Sequence, residues 1–337
     1  MRAVGYRKSL PIDDPQSLID IEVDKPLPQG RDLLVQVKAI SVNPVDYKVR
    51  KRAAPKDGEP PKILGFDATG VVAATGPDAS LFKAGDEVWY AGSIVRQGTN
   101  SEFHLVDERI VGRKPTSLDF AAAAALPLTS ITAWEMLFDR FAIPRGGGEG
   151  KSLLIVGGAG GVGSICIQLA RTFTKLTVIA TASRPETRAW CKELGAHHVV
   201  DHSKPMADQI RATGHRFVDY IFGVTHSDQH FDTIAEVIAP QGKFGLIDDP
   251  KPFDIGKLKG KSASVHWESM FVRSTFQTAD MDEQHKLLDA VAQMVDAGKI
   301  RSTAAENLGR INAANLKRAH AMVESNRTRG KLVLEGF

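Results

Sequence analysis

Short apolar runs alternate with amphipathic stretches through the middle of the chain. Helical periodicity is clear at Pro185 to Leu194 and at Phe231 to Ile238. Six strands joined by such helical crossovers predict an α/β fold with a doubly wound parallel sheet. The runs that predict strands are Leu153 to Val156, Thr177 to Ala180, His198 to Val200, Val218 to Phe222, Lys243 to Ile247 and Ser264 to Trp267.

The two flanking parts of the chain have a different pattern. Residues 1 to about 125 are mostly strand-like, as at Asp32 to Ala39 and Ala68 to Ala74, with turns that contain Gly and Pro. Beyond the sixth strand, a long helix with a polar face is predicted at Asp282 to Ala297, and a strand at Lys331 to Leu334. We therefore expect a mostly β domain formed by residues 1–125 and 275–337, interrupted by a parallel-sheet domain at residues 126–274.

A glycine-rich run follows the first strand of the parallel sheet, Ser152 to Val156, and precedes a helix predicted at Ile165 to Thr172. Its spacing fits GxGxxG, which supplies a tight turn, a backbone without Cβ atoms near phosphates, and close packing of helix on sheet. The N–H groups at the helix start stabilise phosphate charge. We predict that a dinucleotide pyrophosphate binds here, at Gly158, Gly160, Gly161, Val162 and Gly163.

The residue that reads the ribose is expected about 20 residues beyond the last glycine, where the chain has Ser183 and Arg184. A hydroxyl and a guanidinium suit the 2′-phosphate of NADP through charge-assisted hydrogen bonds. We therefore predict NADP(H). The alternative is that Arg184 is a solvated surface residue and that Glu186 accepts from a ribose hydroxyl.

Composition agrees with a globular enzyme of two domains. The chain has 337 residues, of which 42% are hydrophobic and 25% charged, and a net charge of only +3. This balance gives no reason to expect a nucleic-acid or membrane partner, and without a signal-peptide pattern we expect a cytoplasmic protein. The two cysteines, Cys166 and Cys191, have no CxxC spacing, so we expect them to be packing residues.

Five ordered motifs resemble the medium-chain dehydrogenase/reductase superfamily, in particular the quinone oxidoreductase branch and its zinc-type alcohol dehydrogenase-like proteins. The resemblance implies a GroES-like catalytic domain interrupted by a Rossmann domain, an active site in the cleft between them, and a homodimer built at the Rossmann edge. The motifs are Ser41 to Arg50, Leu64 to Val72, Gly85 to Val88, Leu126 to Trp134 and Arg329 to Leu334.

Zinc-dependent relatives hold the metal with a Cys, a His and a second Cys. By the resemblance, Asn43 stands at the first Cys position, Phe66 at the His position and Leu128 near the second Cys position. None of the three can replace a thiolate or an imidazole on zinc. Two cysteines also cannot form a four-cysteine structural site. We expect no zinc, the alternative being a different site regrouped from His104, His202 and His226.

The resemblance also assigns catalytic residues. Asn43 and Asp46 fall in the loop that faces the nicotinamide in similar proteins, with Asn43 able to donate to a substrate carbonyl and Asp46 to orient its neighbours. Tyr47 and Lys48 are the two candidate donors to the substrate oxygen, because the family's active-site tyrosine maps onto Lys48. Thr129 resembles a threonine beside the nicotinamide. For these residues a simple turn or helix-capping role is the alternative.

Further cofactor contacts are implied by position. His202 occupies an adenosine-side position. Other assigned residues end the fourth and fifth strands, where the carboxyl ends of a parallel sheet face the ligand. They are Phe222, Val224, Leu246 and Ile247, and Phe271 and Lys331 complete the assigned contacts.

Without a Lewis acid to form an alkoxide, oxidation of simple alcohols is disfavoured. The chemistry that remains is transfer of hydride from NADPH to an electrophilic small-molecule acceptor, a quinone or an α,β-unsaturated carbonyl. Two alternatives stay open: a zinc-dependent alcohol dehydrogenase with atypical ligands, and a non-catalytic protein that binds NADPH as a sensor or structural component.

Overall fold

The computed structural model describes all residues from 1 to 337. The chain forms two compact units. One comprises Met1–Ile131 and Phe271–Phe337, and the other comprises Thr132–Met270. We call them the β-rich unit and the parallel-sheet unit and describe each by itself.

The first part of the chain is mostly β, as its sequence pattern predicts. It contains eight strands and three helices, and the third helix continues as a π-helical turn at Glu135–Arg140. In chain order they are β1 (Arg2–Tyr6), β2 (Ile19–Glu22), β3 (Asp32–Val42), α1 (Pro44–Arg52), β4 (Lys62–Ile63), β5 (Asp67–Thr75), β6 (Glu87–Tyr90), β7 (Phe103–Asp107), β8 (Val111–Arg113), α2 (Phe120–Ala124) and α3 (Pro127–Trp134).

The parallel-sheet unit alternates strands and helices. Its elements are β9 (Ser152–Val156), α4 (Gly161–Phe173), β10 (Thr177–Thr181), α5 (Pro185–Glu193), β11 (His198–Val200), α6 (Met206–Ala212), β12 (Val218–Gly223), α7 (Ser227–Val237), β13 (Ile238–Leu246) and β14 (Ser264–Trp267). The chain then completes the β-rich unit with α8 (Val272–Phe276), α9 (Glu283–Asp296), β15 (Ala304–Asn307), α10 (Ala313–Glu324) and β16 (Lys331–Glu335).

The strands β9 to β14 form one six-stranded sheet in the order β11-β10-β9-β12-β13-β14, with every neighbouring pair parallel. All five residues of β9 are buried, as expected for a central strand covered on both faces. The order reverses at β9, which is the topological switch point where such sheets bind ligands. The predicted doubly wound parallel sheet is confirmed.

The largest sheet of the β-rich unit has seven strands, and β3 is at its centre. This 11-residue strand pairs antiparallel with β5, β7 and β16. The pairing of β16 with β3 places Leu332 opposite Val42, so residues far apart in the chain meet at one end of β3. That end is where the polar residues of the candidate site lie.

One apolar stretch, Phe120–Arg140, is long enough to cross a membrane by length and composition alone. Most of it, 89% of the 18-residue window, is buried inside the protein. This burial is typical of a core helix.

Candidate functional site

A buried carboxylate, Asp67, is the centre of the polar cluster at the end of β3. One of its oxygens, Oδ2, accepts hydrogen bonds from Ser41 Oγ at 2.7 Å, Asn43 Nδ2 at 2.8 Å and Lys331 Nζ at 3.0 Å. Its other oxygen, Oδ1, accepts from the backbone N–H of Leu128 at 2.7 Å. Asp67 is fully buried, so these bonds replace the water that a charged group needs. They connect β3, β5, β16 and the start of α3.

Lys331, predicted to contact a cofactor, lies in this cluster. Its Nζ donates to Val42 O at 3.0 Å, Asn43 Oδ1 at 2.6 Å and Asp67 Oδ2 at 3.0 Å. An ammonium group has three N–H donors, and these bonds use all of them. The side chain is 4% exposed. The geometry therefore argues against Lys331 as a direct cofactor ligand.

Asn43 and Asp46 lie at the start of a helix, so the expectation of a loop here is wrong. Asn43 is the N-cap of α1, Pro44 takes the first helical position, and Asp46 Oδ2 accepts the Asn43 backbone N–H at 2.7 Å. Asp46 Oδ1 accepts from the Gly65 backbone N–H at 3.0 Å. Burial raises the pKa of Asp46 to about 7, against the lowering effect of these bonds and of Lys331. Asp46 thus holds the backbone at Asn43 and Gly65.

The other predicted catalytic residues lie on two helices of the β-rich unit. Tyr47 and Lys48 are half-buried on the first turns of α1, and the ammonium of Lys51 lies 5.1 Å from the centre of the Tyr47 ring. Thr129 is buried in α3, where its Oγ1 donates to Leu126 O at 3.1 Å. The hydroxyl of Thr129 therefore has a partner just before the start of its own helix. The residues that the structure brings together through Asp67 are Asn43, Lys331 and Leu128, which precedes Thr129 in α3.

The three positions that hold zinc in metal-dependent relatives do not fit a metal here. The Asn43 amide is bonded to Lys331 and Asp67, and the Phe66 ring packs against Phe271 with ring centroids 4.9 Å apart. Leu128 offers only an apolar side chain. Elsewhere in the chain, no three His, Cys, Asp or Glu side chains are grouped so that they could hold a metal ion. His104 bonds to Tyr90 and Gln97, and burial lowers its pKa to about 4.

The glycine-rich turn of the parallel-sheet unit joins β9 to α4. The helix begins at Gly161 with Gly160 as its N-cap, four residues earlier than the sequence pattern predicts. Gly163 lies inside the first turn of the helix, where an added Cβ would be 2.3 Å from Gly157 O. A Cβ on Gly158 would be 2.8 Å from the Cβ of Ala180. Close packing of helix and strand therefore requires glycine at 158 and 163.

Gly160 differs from these two glycines. A Cβ there would meet nothing closer than Gly157 O at 3.7 Å, which is an ordinary contact, and its φ of −74° suits any residue. The protein's own packing does not explain a glycine at this position. A ligand that approaches the backbone does, because a methyl group would occupy its space while the N–H groups at the start of α4 face it. The turn thus fits a bound pyrophosphate.

Thr181, at the end of β10, links the turn to a histidine. Its Oγ1 accepts from the Gly157 backbone N–H at 3.0 Å, and its carbonyl accepts from the Gly158 N–H at 3.0 Å. His202 Nδ1 lies 3.1 Å from the same Oγ1. Burial is the main cause that lowers the pKa of His202, which favours the neutral ring. The sequence analysis found His202 but not Thr181.

The two candidate ribose readers lie just beyond β10. Ser183 is half-buried, and Arg184 is the exposed N-cap residue of α5. Arg184 Nε is 3.2 Å from Glu186 Oε1, so the predicted phosphate ligand and its acidic alternative form an ion pair with each other.

Two of the assigned cofactor residues have buried side chains that face the core. Phe222 and Leu246 are completely buried at the ends of β12 and β13. Val224 and Ile247 follow them and are half-buried. The Val224 N–H donates to Val156 O and the Ile247 N–H to Gly223 O, which aligns the carboxyl ends of the sheet strands.

A pair of buried acids in the parallel-sheet unit was not predicted from the sequence. Glu268 follows β14, and Arg140 Nε donates to its Oε2 at 2.8 Å. Burial, the charge of Glu135 and a hydrogen bond with Glu135 raise the pKa of Glu268 to about 9. Glu268 is therefore protonated at neutral pH. The local signal, a Glu that ends an apolar strand, does not reveal a second acid more than a hundred residues away.

Taken together, the switch-point glycine turn and the parallel sheet define the class of dinucleotide-binding folds. Two family models match the chain: "alcohol dehydrogenase GroES-like domain" at residues 29–116 and "zinc-binding dehydrogenase" at residues 194–334. A zinc-type alcohol dehydrogenase-like protein of Staphylococcus aureus is 40% identical over 99% of both chains. The protein belongs to the medium-chain dehydrogenase/reductase superfamily, among its zinc-type alcohol dehydrogenase-like proteins.

Solved structures agree with this assignment. A protein from Rhizobium etli CFN 42, provisionally described as a zinc-dependent alcohol dehydrogenase, is 60% identical with a TM-score of 0.95 and covers 100% of this chain and 98% of its own. The Escherichia coli quinone oxidoreductase in complex with NADPH has a TM-score of 0.85 over 100% of both chains. At 23% identity, the latter shows the shared fold.

We expect two alanine substitutions in the glycine turn to affect different properties, one the stability of the protein and the other its affinity for the cofactor. Gly163→Ala should lower the free energy of unfolding by about 1–3 kcal/mol, because its Cβ would overlap Gly157 O. Gly160→Ala should cost less than about 1 kcal/mol but weaken NADPH binding at least about tenfold, since the methyl group faces the ligand. Denaturant titration and cofactor titration of both variants measure this. Unchanged affinity in Gly160→Ala would contradict the assigned pyrophosphate position.

The raised pKa of Glu268 predicts how stability depends on pH. In the folded protein Glu268 keeps its proton up to about pH 9, whereas in the unfolded chain it loses the proton above a pKa of about 4.5. The contribution of this proton to the free energy of unfolding is therefore full below pH 4.5 and declines until about pH 9. Between pH 6 and 9 the free energy of unfolding of the wild type should therefore fall by up to about 1.4 kcal/mol per pH unit. The Glu268→Gln variant, which has no proton to lose at this position, should not show this fall. Denaturation midpoints across this range measure it, with exposed Glu149→Gln as the control. Parallel curves for wild type and Glu268→Gln would refute the raised pKa of Glu268.

Proposed function

We propose that the protein is a zinc-independent, NADPH-dependent reductase that transfers hydride to a quinone or an α,β-unsaturated carbonyl. The observation that carries the proposal is the residue set at the zinc positions of relatives, where Asn43, Phe66 and Leu128 stand. An amide that is bonded to Lys331 and Asp67 can hydrogen-bond a substrate but cannot act as a Lewis acid. Reduction of an acceptor that is already electrophilic needs no such acid.

The parallel-sheet unit supplies the residues for the cofactor. Residues 158 to 163 would hold the pyrophosphate, Ser183 and Arg184 the 2′-phosphate, and His202 would lie beside the adenosine. NADPH supplies the hydride when it is bound. The Escherichia coli relative was solved with NADPH, and its shared fold supports the same cofactor here.

The β-rich unit supplies the groups for the substrate. Asn43 would donate an N–H to the oxygen that gains negative charge, and a preformed donor of this kind lowers the barrier because it needs no reorganisation. Tyr47 and Lys48, one and two residues beyond Asp46 on α1, are the candidate proton donors. Both are half-buried, so they combine partial shielding from water with access for a substrate.

The first prediction from this proposal concerns turnover. Metal-stripped enzyme with NADPH should reduce 9,10-phenanthrenequinone or a linear enone, whereas NADP⁺ with a primary alcohol should give no reaction, because no Lewis acid forms the alkoxide. Absorbance at the NADPH band follows all three reactions. Turnover that appears only after zinc is restored would favour a zinc-dependent alcohol dehydrogenase. NADPH binding without turnover in any reaction would favour a sensor or structural role.

The second prediction concerns cofactor choice. Arg184→Glu should raise the Kd for NADPH by at least about tenfold and change that for NADH little, because it puts a carboxylate where the 2′-phosphate would bind. Arg216→Glu is the matched control: it makes the same charge change at an exposed position before the amino end of β12, whereas Arg184 follows the carboxyl end of β10. If both variants lose the same NADPH affinity, the effect comes from net charge and the assignment of Arg184 is wrong.

A further inference from the structure

The Asn43 side chain has only one amide orientation that satisfies its neighbours. Its Oδ1 lies 2.6 Å from Lys331 Nζ and its Nδ2 lies 2.8 Å from Asp67 Oδ2. An ammonium only donates hydrogen bonds and a carboxylate only accepts them. A flipped amide would place donor against donor and acceptor against acceptor, in a cluster where Asn43 is 1% exposed and Asp67 is completely buried. The partners therefore determine which atom is oxygen and which is nitrogen.

This orientation leaves a donor for a ligand. An amide nitrogen has two N–H groups, and the bond to Asp67 uses one of them. The Asn43 backbone is also fixed, because its N–H donates to Asp46 Oδ2 at 2.7 Å. The second side-chain N–H thus has a defined direction, and it can donate to a carbonyl or quinone oxygen.

We propose that Lys331 is a positioning residue: its ammonium group, with Asp67, holds Asn43 in the one orientation in which the amide can donate to the substrate oxygen. The same carboxylate anchors the Leu128 N–H at the start of α3, so the pair also fixes the backbone beside Thr129. The inference rests on the proposed function for the identity of the ligand. It replaces the expectation that Lys331 touches the cofactor.

The main test is Lys331→Met, which keeps the length of the side chain and removes its donors. We expect kcat to fall about 100-fold, because small misplacements of a substrate-binding group have costs of this order, while the Kd for NADPH stays within about twofold. A weaker Kd with unchanged kcat would show that Lys331 is a cofactor ligand and would overturn the proposal.

A second variant covers the case in which the single substitution unfolds the protein by leaving Asp67 buried without its partner. Lys331→Met combined with Asp67→Asn removes both charges and keeps an oxygen that can accept from Leu128. This double variant should fold and still show the loss in kcat. Full kcat in the folded double variant would refute the proposal.

Lys114 provides a matched control in the same unit. Its side chain is also 4% exposed, and its Nζ has three partners, Pro115 O, Leu118 O and Glu87 Oε2. Lys114→Met therefore also removes a buried ammonium, but one that has no bond to Asn43. We expect it to lower stability with kcat per folded molecule unchanged. If both lysine variants lose kcat equally, Lys331 has only a structural role.

A spectroscopic measurement separates this inference from the proposed function. With ¹⁵N-asparagine labelling, the side-chain amide signals of Asn43, assigned by their loss in Asn43→Asp, should be sharp in the wild type and shifted or broadened in Lys331→Met. Unchanged signals would overturn the positioning role. The measurement needs no turnover, so wild-type enzyme that reduces no acceptor would refute the proposed function while the amide signals still decide the role of Lys331.

Discussion

The buried ion pair between Lys331 and Asp67 is the interaction on which the candidate active site depends. The two charges are 3.0 Å apart, with side chains that are 4% and 0% exposed. A buried pair contributes little net stability, since desolvation offsets its attraction, but removing one partner typically costs about 3–5 kcal/mol. Its value here is geometric. Four groups from different parts of the chain donate to Asp67: the hydroxyl of Ser41, the amide of Asn43, the N–H of Leu128 and the ammonium of Lys331.

The candidate site of the parallel-sheet unit is built differently. It is made of backbone, at the glycine-rich turn between β9 and α4. Thr181 holds that turn through both its hydroxyl and its carbonyl. The two candidate sites thus differ in kind. One is a backbone turn that depends on close packing at glycines, and the other is a buried charge pair bonded to a single amide.

The sequence predicted what is local and missed what is not. Short runs located all six strands of the parallel sheet, most clearly the central strand β9, because a strand covered on both faces must be apolar along its length. Helix α1 was mistaken for a loop, since its residues are mostly polar and its start is marked chiefly by Asp46, three residues after Asn43. The partnership of Asp67 with Lys331 has no periodic signature, because 264 residues separate them. Likewise, strand ends such as Phe222 suggest ligand contact until burial shows the side chain in the core.

That separation also has a consequence for biosynthesis. Strand β3 is made early and β16 late, yet they are neighbours in one sheet, and the complete parallel-sheet unit is translated between them. The β-rich unit cannot complete its central sheet while the ribosome is still making the inserted unit. The ion pair between Asp67 and Lys331 therefore forms only after β16 has been synthesised. During that interval the inserted unit can fold by itself, since domains generally fold as units during synthesis. A nascent chain would then be able to bind a nucleotide before it could orient a substrate.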